Sequence, residues 1–406
     1  MVLAGNRPVM STNNQSFRYP LATTTWDTAE VEAMQDVIRS GDFTMGRRVM
    51  DFEQKFAGYF DTEFSVMSNS GSSANLLAIA ALRYSSLNPQ PNRDEVIVPA
   101  VSWSTTYYPI TQLGFKLKFV DIDIHTLNAN LESIEAAIDD KTAGIMVVNL
   151  LGNPSQLTEI RDLSNANSVF MVEDNCESMG ARYKGQYAGT FGDIGTFSSF
   201  FSHHISTMEG GVSVTNSLEL KQVMTSLRAH GWTRELPSEN FVHNKTGDDF
   251  DDLFRFVLPG YNLRPLELEA AIGEQQLLKL PAIVQGRRAN ALKFLTLMEK
   301  FPEFIVQEEL GESSWFGFSL ILNEELSGRR KQLVEVLRKF SIAVRPVVAG
   351  NFTRNPVIQH LPHVAIGELP NADKVHTDGL FIGNHHYEMN EEFTLLQDAL
   401  TEFRKG

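Results

Sequence analysis

The chain has 406 residues, 42% of them hydrophobic and 21% charged, enough for one large core and a second, smaller one. With 35 Lys and Arg against 50 Asp and Glu the formal net charge is −15, which argues against general nucleic-acid binding; an anionic ligand needs local Arg and His to offset that field. The single cysteine, Cys176, excludes an internal disulfide, a Cys-held iron–sulfur cluster and a Cys-rich zinc site. No apolar run approaches the roughly 20 residues that span a bilayer, so a cytoplasmic enzyme with no membrane partner is expected.

Residues 1–18 lack a signal-peptide layout and read as a loose leader. Helical spacing of Val31, Met34, Val37 and Ile38 predicts a helix over 28–40, ended by Gly41-Asp42, and a second helix is expected over 51–59. Short apolar runs at 63–67, 95–99, 116–120, 145–150, 169–173, 195–201 and 212–214 have strand length, and helical stretches at 76–82, 131–138 and 157–163 fall between some of them. This alternation calls for a mainly parallel, seven-stranded sheet covered on both faces, with binding residues gathered at the strand ends. After a helix at 218–230 comes a polar, acidic loop at 235–252, read as a mobile surface segment. Helical stretches at 266–280 and 281–301 follow, and the boundary between a large domain (1–280) and a smaller α+β domain (281–406) is placed between them. In the smaller domain strands are expected at 316–322 and 343–346, and helices at 329–340 and 391–403.

Several positions carry chemistry. Ser70-Gly71-Ser72-Ser73 stands between a strand and a helix, where small residues let backbone N–H groups approach a phosphate; a plain N-cap is the alternative. Trp103, just after the strand at 95–99, could stack on a flat ring or simply fill the core. Asp174 ends an apolar run, where a carboxylate can hold a protonated pyridine nitrogen or merely cap a turn, and Glu177 follows three residues later. Ser198 lies in the strand before a histidine pair, His203-His204, whose side chains would point to opposite sides of an extended chain. Arg228 and His230 precede the polar loop and Asn262 and Arg264 follow it, the cations suited to a diphosphate or carboxylate.

The stretch at 197–211, FSSFFSHHISTMEGG, has the ordering of the cofactor-anchoring segment of vitamin B6 enzymes but contains no lysine. Together with PAVSWSTTYYP, VNLLGNP, EDNCESMGA, RAHGWTR, FVLPGYNLRPLE and GESSWFGFS, it makes the chain resemble the DegT/DnrJ/EryC1/StrS family of B6-dependent sugar aminotransferases over nearly its whole length. The resemblance implies the α/β aspartate-aminotransferase fold (fold type I) and a homodimer with shared active sites. It implies pyridoxal 5′-phosphate and pyridoxamine 5′-phosphate as cofactor forms. By position, Gly71, Ser72 and Ser198 would hold the phosphate, Trp103 would stack on the ring, Asp174 would meet the ring nitrogen and Glu177 the ring oxygen. Asn262 would add a phosphate contact from the other subunit, and Arg228, His230 and Arg264 would meet the substrate.

His203 stands where the family keeps its lysine, as in the family's dehydratase branch. Histidine cannot tether an aldehyde but can move a proton near neutral pH. The implied reaction is loss of the C3 hydroxyl from a GDP-linked 4-keto-6-deoxy sugar, with L-glutamate as amino donor. The alternatives are a sugar aminotransferase using another lysine, Lys184 being the nearest upstream, and a catalytically silent B6-binding homologue.

Overall fold

The computed structural model describes residues 17–89 and 92–406. The expected leader lies outside the described residues apart from Phe17 and Arg18. Helices α1 (Thr28–Ser40) and α2 (Arg47–Tyr59) precede an alternating region: β1 (Phe64–Ser68), α3 (Gly71–Arg83), β2 (Glu95–Pro99), α4 (Ser104–Gln112), β3 (Lys116–Val120), α5 (Leu131–Ala137), β4 (Thr142–Val148), α6 (Leu157–Asn167) and β5 (Phe170–Asp174). The small hairpin β6 (Arg182–Tyr183) and β7 (Gln186–Tyr187) leads to β8 (Ile194–Ser198), β9 (Gly211–Thr215) and α7 (Leu218–Arg228). Then come α8 (Asp249–Asp252), the long α9 (Glu267–Met298), β10 (Phe304–Ile305), β11 (Gly317–Leu322), α10 (Arg330–Lys339), β12 (His363–Ala365), α11 (Pro370–Asp378), β13 (Gly379–Gly383) and α12 (Asn390–Lys405).

Local signals set the ends of α1. Asp27 accepts a bond from the Ala29 amide, Glu30 reaches back to the Asp27 amide, and Gly41 closes the helix in the left-handed region at φ 80°.

The large sheet runs β1-β9-β8-β5-β4-β2-β3-β12. Strands β8, β5, β4, β2, β3 and β12 are parallel, and β9 is antiparallel to both β8 and β1. It follows that β1 runs with the parallel set, and all these strands except β9 end on one edge. The sheet has eight strands where seven were expected, because the three-residue β12 from the C-terminal part adds to the edge at β3. Wholly buried strands such as β2, β4 and β5 explain why their sequences read as continuous apolar runs instead of alternating ones.

A second sheet, β10-β11-β13, is antiparallel. Its core joins Phe318, Leu320 and Leu380 to Phe294 and Leu297 of α9 and to Leu396 and Leu400 of α12. Helix α9 is continuous through Pro281, so the expected boundary at 280/281 falls inside one helix. Its first half packs on α1 and α2, and its second half serves the smaller core. We propose a division there on the strength of those two cores. The stretch 343–346 forms no strand; it makes only an isolated bridge from Arg345 to Phe381, since Pro346 has no amide to extend a ladder.

Candidate active site

Because the strands end together, the turns after β1, β2, β5 and β8 meet along one edge of the sheet. Ser68 pairs with Gly211, and Gly211 pairs with Ser198. This row brings the anion turn and the end of β8 side by side. Ser70 caps α3, its hydroxyl accepting from the Ser73 amide at 3.1 Å. Gly71 is buried at the first helical position, and a Cβ there would lie 2.6 Å from Ser198 Cβ. Only glycine lets the Ser198 side chain stand at the positive end of α3. Gly211 is needed for the same approach, since its Cβ would come within 2.2 Å of the Ser70 carbonyl oxygen. Ser72 donates to Thr105 Oγ1 at 2.9 Å. Gly71, Ser72 and Ser198 are thus brought together in a cradle suited to a phosphate.

Asp174 closes β5 and is 6% exposed. Its Oδ2 accepts from Asn75 Nδ2 at 2.8 Å and Thr106 Oγ1 at 2.7 Å, and its Oδ1 accepts from the Cys176 amide at 3.2 Å. Three donors hold the carboxylate in place and still leave acceptor capacity for a ring N–H. Sequence reasoning missed Asn75 and Thr106. For Asn75 the available signal was a polar residue on the otherwise apolar helix α3, four positions after Gly71.

His203 follows in the loop after β8. Its Nδ1 lies 2.8 Å from the Cys176 carbonyl oxygen. A carbonyl only accepts, so Nδ1 carries the proton and Nε2 holds the free lone pair. The ring packs against Phe316, with centroids 5.1 Å apart. Burial pulls its pKa down to about 4, the Cys176 carbonyl opposing and the nearby Arg345 and Arg287 charges assisting. The imidazole is therefore a neutral base at ordinary pH.

His204 is fully buried, its Nε2 3.1 Å from the Ser314 carbonyl oxygen. The two histidines lie in a turn, not on the extended chain assumed from sequence, and both rings contact Phe316. Divergent carbonyl partners, not strand alternation, give them separate roles.

Glu177 accepts from the Leu151 amide at 3.3 Å, and burial pushes its pKa up to about 7 against the opposing charge of Arg345. Arg345 is a third residue that sequence reasoning missed. Its guanidinium lies 4.4 Å from the Phe381 ring centroid, and its buried Nε has no partner among the described residues. An arginine within the apolar run IAVRPVV was the signal for it.

Trp103 is 57% exposed at the start of α4, clear of the core. Asn262 is exposed, its Oδ1 accepting from Arg264 Nε at 3.1 Å. The Leu263 carbonyl accepts from the Asn69 amide at 3.0 Å, which fixes this segment beside the anion turn. His230 has a left-handed backbone (φ 62°) and sits edge-on to Trp232. Arg228 is a correction: it is 4% exposed, paired with Glu53 and Glu235 and bonded to the Met67 carbonyl. Its charge is neutralised inside the fold and is not open to a substrate. Lys184 sits on the β6–β7 turn with its amine paired to Glu159.

A buried carboxylate, a close-packed helix-end cradle and a neutral imidazole thus lie along one edge of the sheet. The chain belongs to the DegT/DnrJ/EryC1/StrS aminotransferase family, whose model matches residues 25–399, and it has the aspartate-aminotransferase fold. Within the family it is 50% identical over 384 residues to GDP-4-keto-6-deoxy-D-mannose 3-dehydratase of Escherichia coli O55:H7, covering 94% of this chain and 99% of that protein. It is also similar to two crystal structures of GDP-4-keto-6-deoxymannose-3-dehydratase, each with TM-score 0.92, 49% identity and coverage of 94% of this chain and 100% of the other. One is a histidine-to-asparagine mutant with bound GDP-perosamine; the other holds a trapped PLP-glutamate geminal diamine.

Proposed function

We propose that this chain removes the C3 hydroxyl of GDP-4-keto-6-deoxy-D-mannose with B6 cofactor chemistry, L-glutamate restoring the amine form of the cofactor. The reading is supported by His203: its Nδ1 is held by the Cys176 carbonyl, which leaves Nε2 the free base, in the segment where the resemblance puts the family's lysine. The residues fit the cofactor, since the Gly71–Ser198 cradle has no room for a further side chain and the Asp174 carboxylate is built to meet a cationic ring N–H. When bound there, pyridoxamine phosphate supplies an amine for the C4 ketone and a ring that accepts electron density.

The protein's own part is to hold and move protons. Nε2 of His203 takes up a proton beside the cofactor and returns it to the departing C3 hydroxyl, which leaves as water. Asp174 would hold a protonated ring nitrogen, and Glu177, poised near neutrality, would meet the ring oxygen. Phe316, whose carbonyl accepts from Arg287 Nη1 at 2.8 Å, holds the imidazole plane. Arg345, whose charge acts on both Glu177 and His203, suits a carboxylate of the amino donor. The balance closes: C3–OH becomes C3–H, while glutamate is oxidised to 2-oxoglutarate and ammonia. We further propose a homodimer in which the exposed Asn262 reaches the partner's phosphate cradle.

Incubation with GDP-4-keto-6-deoxymannose, cofactor and glutamate should give a GDP-4-keto-3,6-dideoxy sugar by mass spectrometry, with release of ammonia. A 4-amino sugar without a 3-deoxy product means aminotransferase activity, and no ammonia at all means a silent homologue. Borohydride should leave the cofactor unattached to the wild-type chain and fix it covalently in His203→Lys.

A further inference from the structure

The loop that carries His203 is also held three residues further on, at Ser206, which is buried. The Ser206 amide donates to Gln276 Oε1 at 3.0 Å, and its carbonyl accepts from Trp26 Nε1 at 2.9 Å. The two partners come from distant parts of the chain: Trp26 precedes α1, and Gln276 lies in the first half of α9. Other bonds close the loop on itself, the Phe201 amide donating to the Met208 carbonyl and the Thr207 amide to the Ser199 carbonyl. Bonds of that kind fix the shape of the loop, whereas bonds to other elements fix where the shape sits. The Cys176 carbonyl sets the tautomer and tilt of the His203 ring, and the two bonds at Ser206 hold the main chain beneath it.

Gln276 is fully buried and uses its whole hydrogen-bonding capacity. Its Oε1 accepts from the Ser206 amide and the Thr25 hydroxyl, and its Nε2 donates to the Thr25 carbonyl at 3.2 Å and to Glu30 Oε1 at 2.7 Å. Glu30, also fully buried, accepts from the Asp27 amide and is neutralised by Lys279 Nζ at 2.6 and 2.8 Å. The Glu30 carboxylate faces the amide nitrogen of Gln276, so the side chain cannot flip without setting two acceptors against each other, and Oε1 stays directed at Ser206. A satisfied buried network of this kind holds one geometry. Tying α1 to α9 needs only the Glu30–Lys279 and Thr25–Gln276 contacts. The bonds to Ser206 are additional, and they end on the loop of the base.

We propose that Gln276 and Trp26 are positioning residues for His203: by gripping both main-chain groups of Ser206 they fix the place from which Nε2 takes up and returns its proton. A displacement of about 1 Å at a reacting group is enough to cost about 100-fold in rate. The inference rests on the reading of His203 as the proton carrier and adds two residues, from α9 and from the segment before α1, that set its place.

The test uses Trp26→Phe, which keeps most of the ring and removes its N–H, and Gln276→Leu, which keeps the volume and removes the acceptor. Gln276→Leu also strips a partner from buried Glu30 and risks unfolding, so Trp26→Phe carries the test by itself. Hydrogen–deuterium exchange of the segment 199–211 in the cofactor-loaded protein should be faster in both variants. Two rates should fall by about 10-fold in Trp26→Phe and up to about 100-fold in Gln276→Leu, with KM within about twofold: C3 dehydration, and conversion of the bound cofactor to its amine form by L-glutamate, followed by absorbance. In a His203→Asn background Trp26→Phe should lower the residual rates no further, because the grip acts through the imidazole. Unchanged exchange overturns the inference, and so does faster exchange with both rates intact. An equal loss with and without the imidazole overturns it too, by showing a general structural role. If the wild type reacts with glutamate but yields no 3-deoxy sugar, the substrate reading fails, while slower glutamate conversion in Trp26→Phe still supports the grip.

Discussion

The two polar regions of this molecule handle charge in opposite ways. At the carboxyl edge of the sheet each reacting group has a main-chain partner: His203 the Cys176 carbonyl, Asp174 the Cys176 amide, Glu177 the Leu151 amide. In the segment between α7 and α9, Arg234 and Arg264 lie beside the Trp232 ring and, among the described residues, meet no carboxylate. Main-chain partners cannot rotate away, so proton-transfer geometry is set before substrate arrives. Cations left without a carboxylate stay free to meet an anion. The turn at 174–177 does double duty, since the backbone of Cys176 orients both the Asp174 carboxylate and the His203 imidazole.

The largest effect should come from breaking the first region. His203→Asn keeps a donor for the Cys176 carbonyl but removes the basic nitrogen. We expect dehydration to fall about 10²- to 10⁴-fold, the usual contribution of a positioned acid–base group, with GDP affinity within about twofold of wild type. Single-turnover measurement of ammonia release gives the first number and nucleotide titration the second. Loss of GDP binding alongside activity would mean that the two regions are not separable as described.

Arg228 separates structure from recognition more sharply. Sequence position alone grouped it with Arg264, yet the fold pairs it with Glu53 and Glu235 in a nearly dry environment. Arg228→Ala leaves those carboxylates without their cation, which costs on the order of 3–5 kcal/mol for a buried pair. A large fall in the midpoint of thermal or urea unfolding should result, with unchanged GDP affinity in whatever protein remains folded. Unaltered stability with weaker GDP binding would restore Arg228 to the substrate.

That misassignment marks where the sequence stops being legible. Strand ends could be read because buried parallel strands are continuous apolar runs with a polar residue or glycine where they stop, which located Gly71, Asp174 and Ser198 without a structure. The vacancy at His203 could be read because a whole ordered segment surrounds it. Pairings across long separations could not: Glu53 and Arg228 are 175 positions apart, and Arg345 faces Glu177 only once the smaller domain folds back. Helix α4 escaped notice because Pro109 lies inside it, and β12 because three exposed residues carry no periodicity.

The enclosed region also contributes to the pH dependence of stability. His203, with its pKa lowered to about 4, is neutral in the folded protein while an unfolded histidine binds a proton below about 6.5. Its stabilising contribution is present above that value and is lost as pH falls toward 4. Glu177, raised to about 7, has the opposite sign: the folded protein holds a proton that an unfolded carboxyl releases above about 4.5, so stability is lost as pH rises through 7. Between pH about 4.5 and 6.5 the two slopes offset one another. Glu177→Gln removes one of them, and stability should then climb with pH more steeply than in wild type, by up to about 1.4 kcal/mol per pH unit. Urea unfolding at several pH values gives both slopes; parallel curves would show that Glu177 does not hold its proton in the fold.

The smallest effect should come from Lys184, the amine nearest upstream that could have rivalled His203. It sits on a hairpin turn, more than half exposed, with its amine on Glu159. An exposed pair of this kind contributes about 0–1 kcal/mol, so Lys184→Ala should shift stability by no more than that. Turnover and borohydride labelling should match wild type, because the amine is held at the β6–β7 hairpin by Glu159, away from the His203 loop. The substitution is informative because it is bland: a drop in turnover beyond about threefold, with the fold intact, would mean that a lysine takes part in the chemistry after all. The neutral imidazole pinned by Cys176 would then be a packing feature, and the division between a backbone-fixed reaction centre and the cations between α7 and α9 would have to be redrawn around the β6–β7 hairpin.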